Sequence, residues 1–176
     1  MTSTYLNSLK NNSEIQIELV CLGNICRSPM AAAILHNKSR DLTRPKFLVS
    51  SSGTSGWHKG EGASPSSVKV WESAGYKYEH VSRHFSVDFF DEKDLILTMD
   101  LANRSEVLKS ARNQADINKV MMLRSFDPNL INLDASSPDA ELLQVPDPWG
   151  QEITAYREVF QIVNCAIDGL INYFKV

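Results

Sequence analysis

The spacing of apolar and polar positions changes several times along the chain. Ile15-Gln16-Ile17-Glu18-Leu19-Val20 alternates, then turns wholly apolar, and runs on into Gly23-Asn24, the pattern of a strand that ends in a loop. Ser28-Pro29 offers an N-cap and a first-turn proline ahead of Met30-Ala31-Ala32-Ala33-Ile34-Leu35, so a helix is predicted directly after that loop. Phe47-Leu48-Val49 predicts a second strand, Ser64-Pro65 opens a helix to about Ala74-Gly75, and Leu95 to Met99 predicts a third strand. Asp100 is placed to cap a helix across Asn103 to Lys109, and Val120-Met121-Met122-Leu123 predicts a fourth strand. Apolar spacing at Ile153, Tyr156, Phe160, Val163, Ile167 and Ile171 predicts a closing helix from Ile153 to Phe174.

Strand and helix alternate, which argues for a single-domain open α/β fold with a mainly parallel sheet and helices on both faces, because parallel neighbours need right-handed crossovers. Such folds bind ligands beyond the carboxyl ends of the strands, where helix N-termini point N–H groups and a positive dipole outward. The loop after the first strand is in that position. Between Arg124 and Trp149 the chain carries Pro128, Pro138, Pro146 and Pro148 with weak periodicity, so a long functional loop reaching back over the site is expected there. Residues 1–13, rich in Ser, Thr and Asn, are expected to be a floppy tail ahead of a domain spanning 14–176.

At 176 residues and 43% hydrophobic content the chain is long enough for one core without disulfides. A net charge of −3 argues against nucleic acid or an anionic membrane as a broad electrostatic partner. Three cysteines, with Cys21 and Cys26 close together, do not make a secreted disulfide framework. No signal-peptide pattern or apolar run of about 18 residues is present. A monomer in the cytoplasm is expected, with export by a route that needs no signal peptide left open.

The chemistry concentrates in Cys21-Leu22-Gly23-Asn24-Ile25-Cys26-Arg27-Ser28-Pro29, where a thiol at a strand end is followed after five residues by a guanidinium, a hydroxyl and a helix start. A free thiol titrates near ~8.5, whereas a helix N-terminus and an adjacent Arg bring it to between about 3.5 and 7.5. Gly23 and Asn24 tolerate left-handed backbone, so the loop amides from Leu22 to Arg27 can curl toward one centre as an anion cradle, closed by the Arg27 fork. A tetrahedral oxyanion fits, and in-line attack on phosphorus would give a cysteinyl-phosphate. One carboxyl is then needed to protonate the leaving group and activate water. Asp147-Pro148 and Asp127-Pro128 offer the same dipeptide, and spacing alone does not choose between them.

This Cys-x5-Arg-Ser loop, together with Asp147-Pro148-Trp149, resembles the low-molecular-weight protein tyrosine phosphatases, most of all their bacterial branch. The resemblance runs from about Ile15 to Phe174 and includes Gly56-Trp57-His58-Lys59-Gly60, His80 to Arg83, and Met99-Asp100 with Asn103. It implies a four-stranded parallel sheet, a phosphotyrosine-containing protein as substrate, and no cofactor. It further implies Cys21 as nucleophile, Arg27 as transition-state clamp, Ser28 as the hydroxyl assisting the thiolate, and Asp147 as general acid and then base. Asn24, Ser52 and His80 resemble the residues that hold the loop in shape, and Trp57 and Trp149 those that wall the substrate ring.

Other residues have plainer readings. Cys26 either packs the loop or forms a reversible disulfide with Cys21 under oxidation, while Cys165 and Trp71 read as core. His80 and His84 stand at i, i+4, a metal-binding spacing on a helix, but no third ligand is spaced for one and no metal is expected. The glycines from Gly53 to Gly62 fit no nucleotide motif and read as a flexible rim. Two departures from the family stand out: Ser64-Pro65-Ser66 where many members have Asp-Pro-Arg, and Trp149-Gly150 where many have paired tyrosines. A phosphoarginine phosphatase on the same loop is the main alternative; that branch has Thr before the second cysteine, whereas Ile25 here is apolar and suits an aryl phosphate. A thiol-dependent arsenate reductase is more remote, because residues 80–105 hold no cysteine.

Overall fold

In the computed structural model, which describes residues 4–175, β1 (Glu14–Cys21) runs through the interior of a parallel sheet. The strand order is β2-β1-β3-β4, with β2 at Lys46–Gly53, β3 at Leu95–Thr98 and β4 at Val120–Met122. The register sets Cys21 beside Gly53, and Val20 between Ser52 and Thr98. This is the four-stranded parallel α/β architecture expected from the sequence.

Side chains alternate across a strand, so β1 serves two cores. Ile15, Ile17, Leu19 and Cys21 join a large cluster, while Val20 joins Phe90, Ile96, Val107 and Val120 in a smaller one. Before β1 lies α1 (Thr4–Leu9), and after it α2 (Arg27–Ser39). Between β2 and β3 come α3 (Pro65–Ser73) and the single turn α4 (Phe89–Glu92). α5 (Leu101–Lys109) and α6 (Gln114–Asn118) lead to β4, and α7 (Ile153–Phe174) closes the chain. α2 packs on β1, β2, α3 and α7, whereas α5 packs on β3 and β4.

α2 is apolar around its circumference from Pro29 to Leu35, and every one of those residues is buried, as a helix wrapped on several sides must be. Full burial of Met30, Ile34 and Leu35 is worth about 1.5–3 kcal/mol each. The first turn of α2, which carries Arg27 and Ser28, is thereby fixed against the end of β1. Ser28 is not the N-cap: Cys26 occupies that position, and Ser28 sits inside the first turn with its hydroxyl turned to Cys21.

The floppy-tail expectation needs correcting for Thr4–Leu9, which form α1; residues 1–3 lie outside the described residues. Leu6 and Leu9 are buried, Tyr5 Oη donates to the Asp94 carbonyl at 2.7 Å, and Tyr173 Oη donates to Asn7 Oδ1 at 2.8 Å. Two leucines suffice because the order comes from these tertiary contacts and not from helix propensity. Cys165 is half-buried and not fully core; its thiol lies 3.6 Å from Asp127 Oδ1. Trp71 is core as expected.

The segment from Arg124 to Trp149 is a long irregular connection carrying two 3-10 turns, Leu123–Phe126 at its start and Ala140–Leu143. Arg124 Nη1 braces it by donating to the carbonyls of Leu142 at 2.6 Å and Gln144 at 3.1 Å. It returns to the carboxyl end of the sheet, where the Val145 amide donates to the Met99 carbonyl at 2.7 Å. That return brings Asp147 to the same end as Cys21.

Candidate active site

Beyond β1 the chain curls from Cys21 to Cys26 with Asn24 in the left-handed region at φ 56°. The carbonyls of this loop are taken from outside. Thr54 N donates to Cys21 O at 2.9 Å, Ser55 N to Leu22 O at 2.9 Å, and Ser82 Oγ to Gly23 O at 3.2 Å. His80 Nε2 donates to Asn24 O at 2.7 Å, Ser64 N to Ile25 O at 2.7 Å, and Ser67 Oγ to Cys26 O at 3.2 Å. A trans peptide points N–H opposite to C=O, so the amides that follow these anchored carbonyls turn inward. Inward-turned amides on such a curl can make a ring of donors, a concave nest able to take an anion. Gly53 makes the close approach possible, since a Cβ there would stand 2.6 Å from Leu22 O and 3.0 Å from Asn24 N.

At the base of the ring, Cys21 Sγ lies 3.2 Å from the Asn24 amide and 3.0 Å from Ser28 Oγ. Asn24 Nδ2 donates to Ser28 Oγ at 2.8 Å and to Ser51 Oγ at 3.0 Å, while its Oδ1 accepts from the Arg83 amide at 2.9 Å. Both functions of the side-chain amide are therefore engaged. Ser52 differs from expectation: its hydroxyl is buried without a partner among the described residues, and it meets Ser28 only through its carbonyl, at 3.3 Å. Adjacent strand residues face opposite sides, so the bracing hydroxyl belongs to Ser51.

His80 is held neutral. Burial pushes its pKa below the usual imidazole value, the Asn24 carbonyl opposes this, and Arg83 adds to it. A carbonyl only accepts, so the proton is on Nε2. His84 instead meets the Thr54 carbonyl at 3.1 Å, and residues 80–84 are not helical, so the i, i+4 spacing does not place the two rings on a helix face.

Arg27 is almost fully buried and reaches three acceptors. Nη1 donates to Asp100 Oδ2 at 2.6 Å and to the Val145 carbonyl at 3.1 Å, and Nη2 donates to Asp147 Oδ2 at 3.0 Å. Burial alone would lower its pKa, but the charges of Cys21, Asp147 and Asp100 outweigh that and hold it above the ordinary value. Asp100 does cap α5, with Oδ1 accepting from the Asn103 amide at 2.6 Å; its second oxygen aims the Arg27 fork, a role the capping pattern did not reveal.

Asp147 uses Oδ1 to accept from the Trp149 amide at 3.2 Å and does not cap α7, whose N-cap is Glu152. Asp127, the competing carboxylate, is buried against Arg124 and Asn129 and does not line the cleft. Cys26 is buried with Sγ 3.7 Å from Tyr156 Oη; burial drives its pKa up, hydrogen bonds from Tyr156 and Ser64 oppose this, and the charges of Asp147 and Cys21 add to it.

Above the thiol is a cleft of about 150 Å³ lined by the loop, Arg27, Asp147, Trp57, His58 and Trp149. Trp57 and Trp149 are 75% and 65% exposed, so these rings are available to a ligand and are not core. His58 lies inside the Gly56 to Gly60 stretch, but its place in the cleft was not foreseen; its Nδ1 meets Glu61 Oε2 at 2.8 Å, which turns the ring edge toward Gly23.

A thiol that accepts from a loop amide and shares a cleft with a fixed guanidinium and a carboxylate suits phosphoryl transfer. The family model for low molecular weight phosphotyrosine protein phosphatase matches residues 16–175. The chain belongs to that family. A low molecular weight protein-tyrosine-phosphatase of Streptomyces coelicolor is 35% identical over 153 residues, covering 86% of this chain and 88% of the relative. Among solved structures, a protein tyrosine phosphatase from Entamoeba histolytica superposes with a TM-score of 0.76 at 31% identity, covering 90% of this chain and 95% of its own. An arginine phosphatase from Geobacillus stearothermophilus gives a TM-score of 0.73 at 28% identity, covering 90% and 91%. Members of this phosphatase family work through a cysteine-based mechanism, and this chain has a buried free cysteine, Cys21, at the end of β1.

Proposed function

We propose that this phosphatase hydrolyses phosphotyrosine in proteins, with Cys21 as nucleophile, Arg27 as phosphate clamp, Ser28 as the hydroxyl assisting the thiolate and Asp147 as general acid and then base. The observation that carries the reading is the convergence of the Asn24 amide and the Ser28 hydroxyl on Cys21 Sγ, at 3.2 Å and 3.0 Å, beneath a cleft that also holds Arg27 and Asp147. In the first step the thiolate attacks phosphorus in line as the bond to the phenolic oxygen breaks. The Asp147 carboxyl gives that oxygen its proton, leaving a carboxylate and an S–P bond. Water then gives a proton to the carboxylate and attacks phosphorus. The S–P bond breaks, its electron pair returns to Cys21, and phosphate leaves. The amides from Leu22 to Arg27 and the guanidinium hold the non-transferred oxygens in both steps, donors that need no reorganisation as charge shifts.

The two exposed tryptophans and apolar Ile25 favour an aryl phosphate between them. The likeness to an arginine phosphatase supports phosphoarginine as the second reading, against which Ile25 offers no polar group to orient water near a guanidinium. Among the described residues no helix is long and apolar enough to cross a membrane. The reading takes the enzyme to act as a cytoplasmic monomer on protein substrates, without nucleic acid, membrane or cofactor. It is tested by initial rates of phosphate release from matched phosphotyrosine, phosphoserine and phosphoarginine peptides. Phosphotyrosine turned over fastest and lost with Cys21→Ser supports it; phosphoarginine turned over fastest replaces it with the second reading.

A further inference from the structure

Glu18 lies in β1 three residues before Cys21 and is fully buried. Its Oε2 accepts from Arg83 Nη2 at 2.7 Å and from Ser50 Oγ at 2.5 Å, with Lys93 Nζ at 3.9 Å. Its Oε1 has no hydrogen-bond partner among the described residues. A buried ion pair returns little net stability, because desolvation offsets the attraction, and an unsatisfied oxygen adds to the cost. What this pair does supply is a fixed place for Arg83. Arg83 Nε donates to the Ser51 carbonyl at 3.0 Å and its guanidinium lies 4.5 Å over the Phe89 ring.

The consequence reaches the thiol. With the Arg83 amide donating to Asn24 Oδ1 at 2.9 Å, the Asn24 side chain has one orientation, which turns Nδ2 onto Ser28 Oγ at 2.8 Å. Ser28 Oγ accepts there, which leaves its one proton to Cys21 Sγ at 3.0 Å, with the Ser52 carbonyl at 3.3 Å as the competing acceptor. We infer that Glu18 and Arg83 are positioning residues for the Cys21 thiolate, acting through Asn24 and Ser28. This rests on the reading of Cys21 as the nucleophile.

Glu18→Gln separates the positioning role from a through-space one, because the two have opposite signs. Loss of a nearby negative charge, acting through space, makes the thiolate easier to form. Loss of the anchor for Arg83 lets Asn24 and Ser28 drift, and the thiolate becomes harder to form and a poorer leaving group. Arg27, whose charge couples to the thiol, and its partners Asp100 and Asp147 are untouched by the substitution. A role in folding alone lowers the melting temperature and leaves the thiol unchanged.

The test is the pH midpoint of iodoacetamide alkylation mapped to Cys21, measured with kcat, KM and thermal melting on the full chain. The variants are Glu18→Gln, Arg83→Lys, Asn24→Ala and the Glu18→Gln/Asn24→Ala double variant. In Glu18→Gln the midpoint is expected to rise by about half a unit to one unit and kcat to fall about tenfold with KM little changed. Arg83→Lys moves both in the same direction, and Glu18→Gln adds nothing to Asn24→Ala. A midpoint that stays or falls, or an additive double variant, overturns the inference. Should Glu18→Gln not fold, Arg83→Lys, at a side chain 39% exposed, and its combination with Asn24→Ala decide by the same criteria. If wild-type Cys21 is not alkylated ahead of the other cysteines and Cys21→Ser still turns over, the nucleophile reading fails and this inference falls with it. If wild type behaves as described and the variants match it, the positioning role alone is wrong.

Discussion

The loop from Cys21 to Ser28 and the segment from Arg124 to Trp149 meet at Arg27, yet they are held in different ways. The loop sits between a buried strand and a buried helix, and each carbonyl from Cys21 to Cys26 has a partner from outside the loop. The second segment has two short 3-10 turns and touches the site through Val145 and Asp147 alone among its hydrogen bonds to Arg27. Asp147 keeps 43% of its side chain exposed, where Arg27 keeps 4%. The division suits the chemistry proposed for each part. Stabilising charge on a phosphoryl group needs donors already in place before the reaction. A carboxyl that gives a proton and takes one from water must stay in contact with solvent.

The comparison breaks most visibly at the thiol. Cys21→Ser is expected to reduce kcat by on the order of 10⁴–10⁶ while the fold, read by circular dichroism, is kept. Asp147→Asn is expected to slow the first step, read by kcat/KM, by about 10²–10⁴ with poor leaving groups and far less with good ones, since only the former need the proton. A loss independent of the leaving group would reassign the acid. On the rigid side, Gly53→Ala puts a Cβ 2.6 Å from the Leu22 carbonyl, and backbone cannot yield as a flexible side chain does. A destabilisation of about 1–3 kcal/mol, with weaker inhibition by inorganic phosphate, is expected from chemical denaturation and inhibition assays.

The smallest effect concerns pH. Burial holds the His80 pKa below its unfolded value of 6.5, so the unfolded chain binds the proton more readily. The contribution of neutral His80 is complete above pH 6.5 and is lost as pH falls below that value toward the lower folded pKa. His80→Gln should flatten this part of the stability profile, measured by urea unfolding across the acidic range. An unchanged slope would mean that another group carries it.

How far the sequence could be read depended on the length of the element and on how local its causes were. β1, β3 and α7 were legible because their apolar periods match their structures over whole elements. α1, α4 and α6 were not, since helices of four to six residues owe their order to contacts with distant chain. In the proposed site, Cys21 and Arg27 stood out through the Cys-x5-Arg-Ser loop and the resemblance it carries. Spacing alone did not tell Asp147 from Asp127; the resemblance picked Asp147, and the return of the chain to Met99, a contact made across 46 residues, is what brings it to the cleft. Ser51 was missed for Ser52 because a register of one residue decides which hydroxyl faces Asn24. Asp100 carried a visible capping signal that hid its second partner, and Glu18 looked like one more polar position on an alternating strand.

The most direct test of the central claim is acid quenching during turnover of a labelled aryl phosphate, followed by mapping of any phosphoprotein. Label on Cys21 that accumulates in Asp147→Asn, where water is not activated, is the expected result. Label on a histidine or on another cysteine, or turnover with no labelled protein at any time, would contradict it.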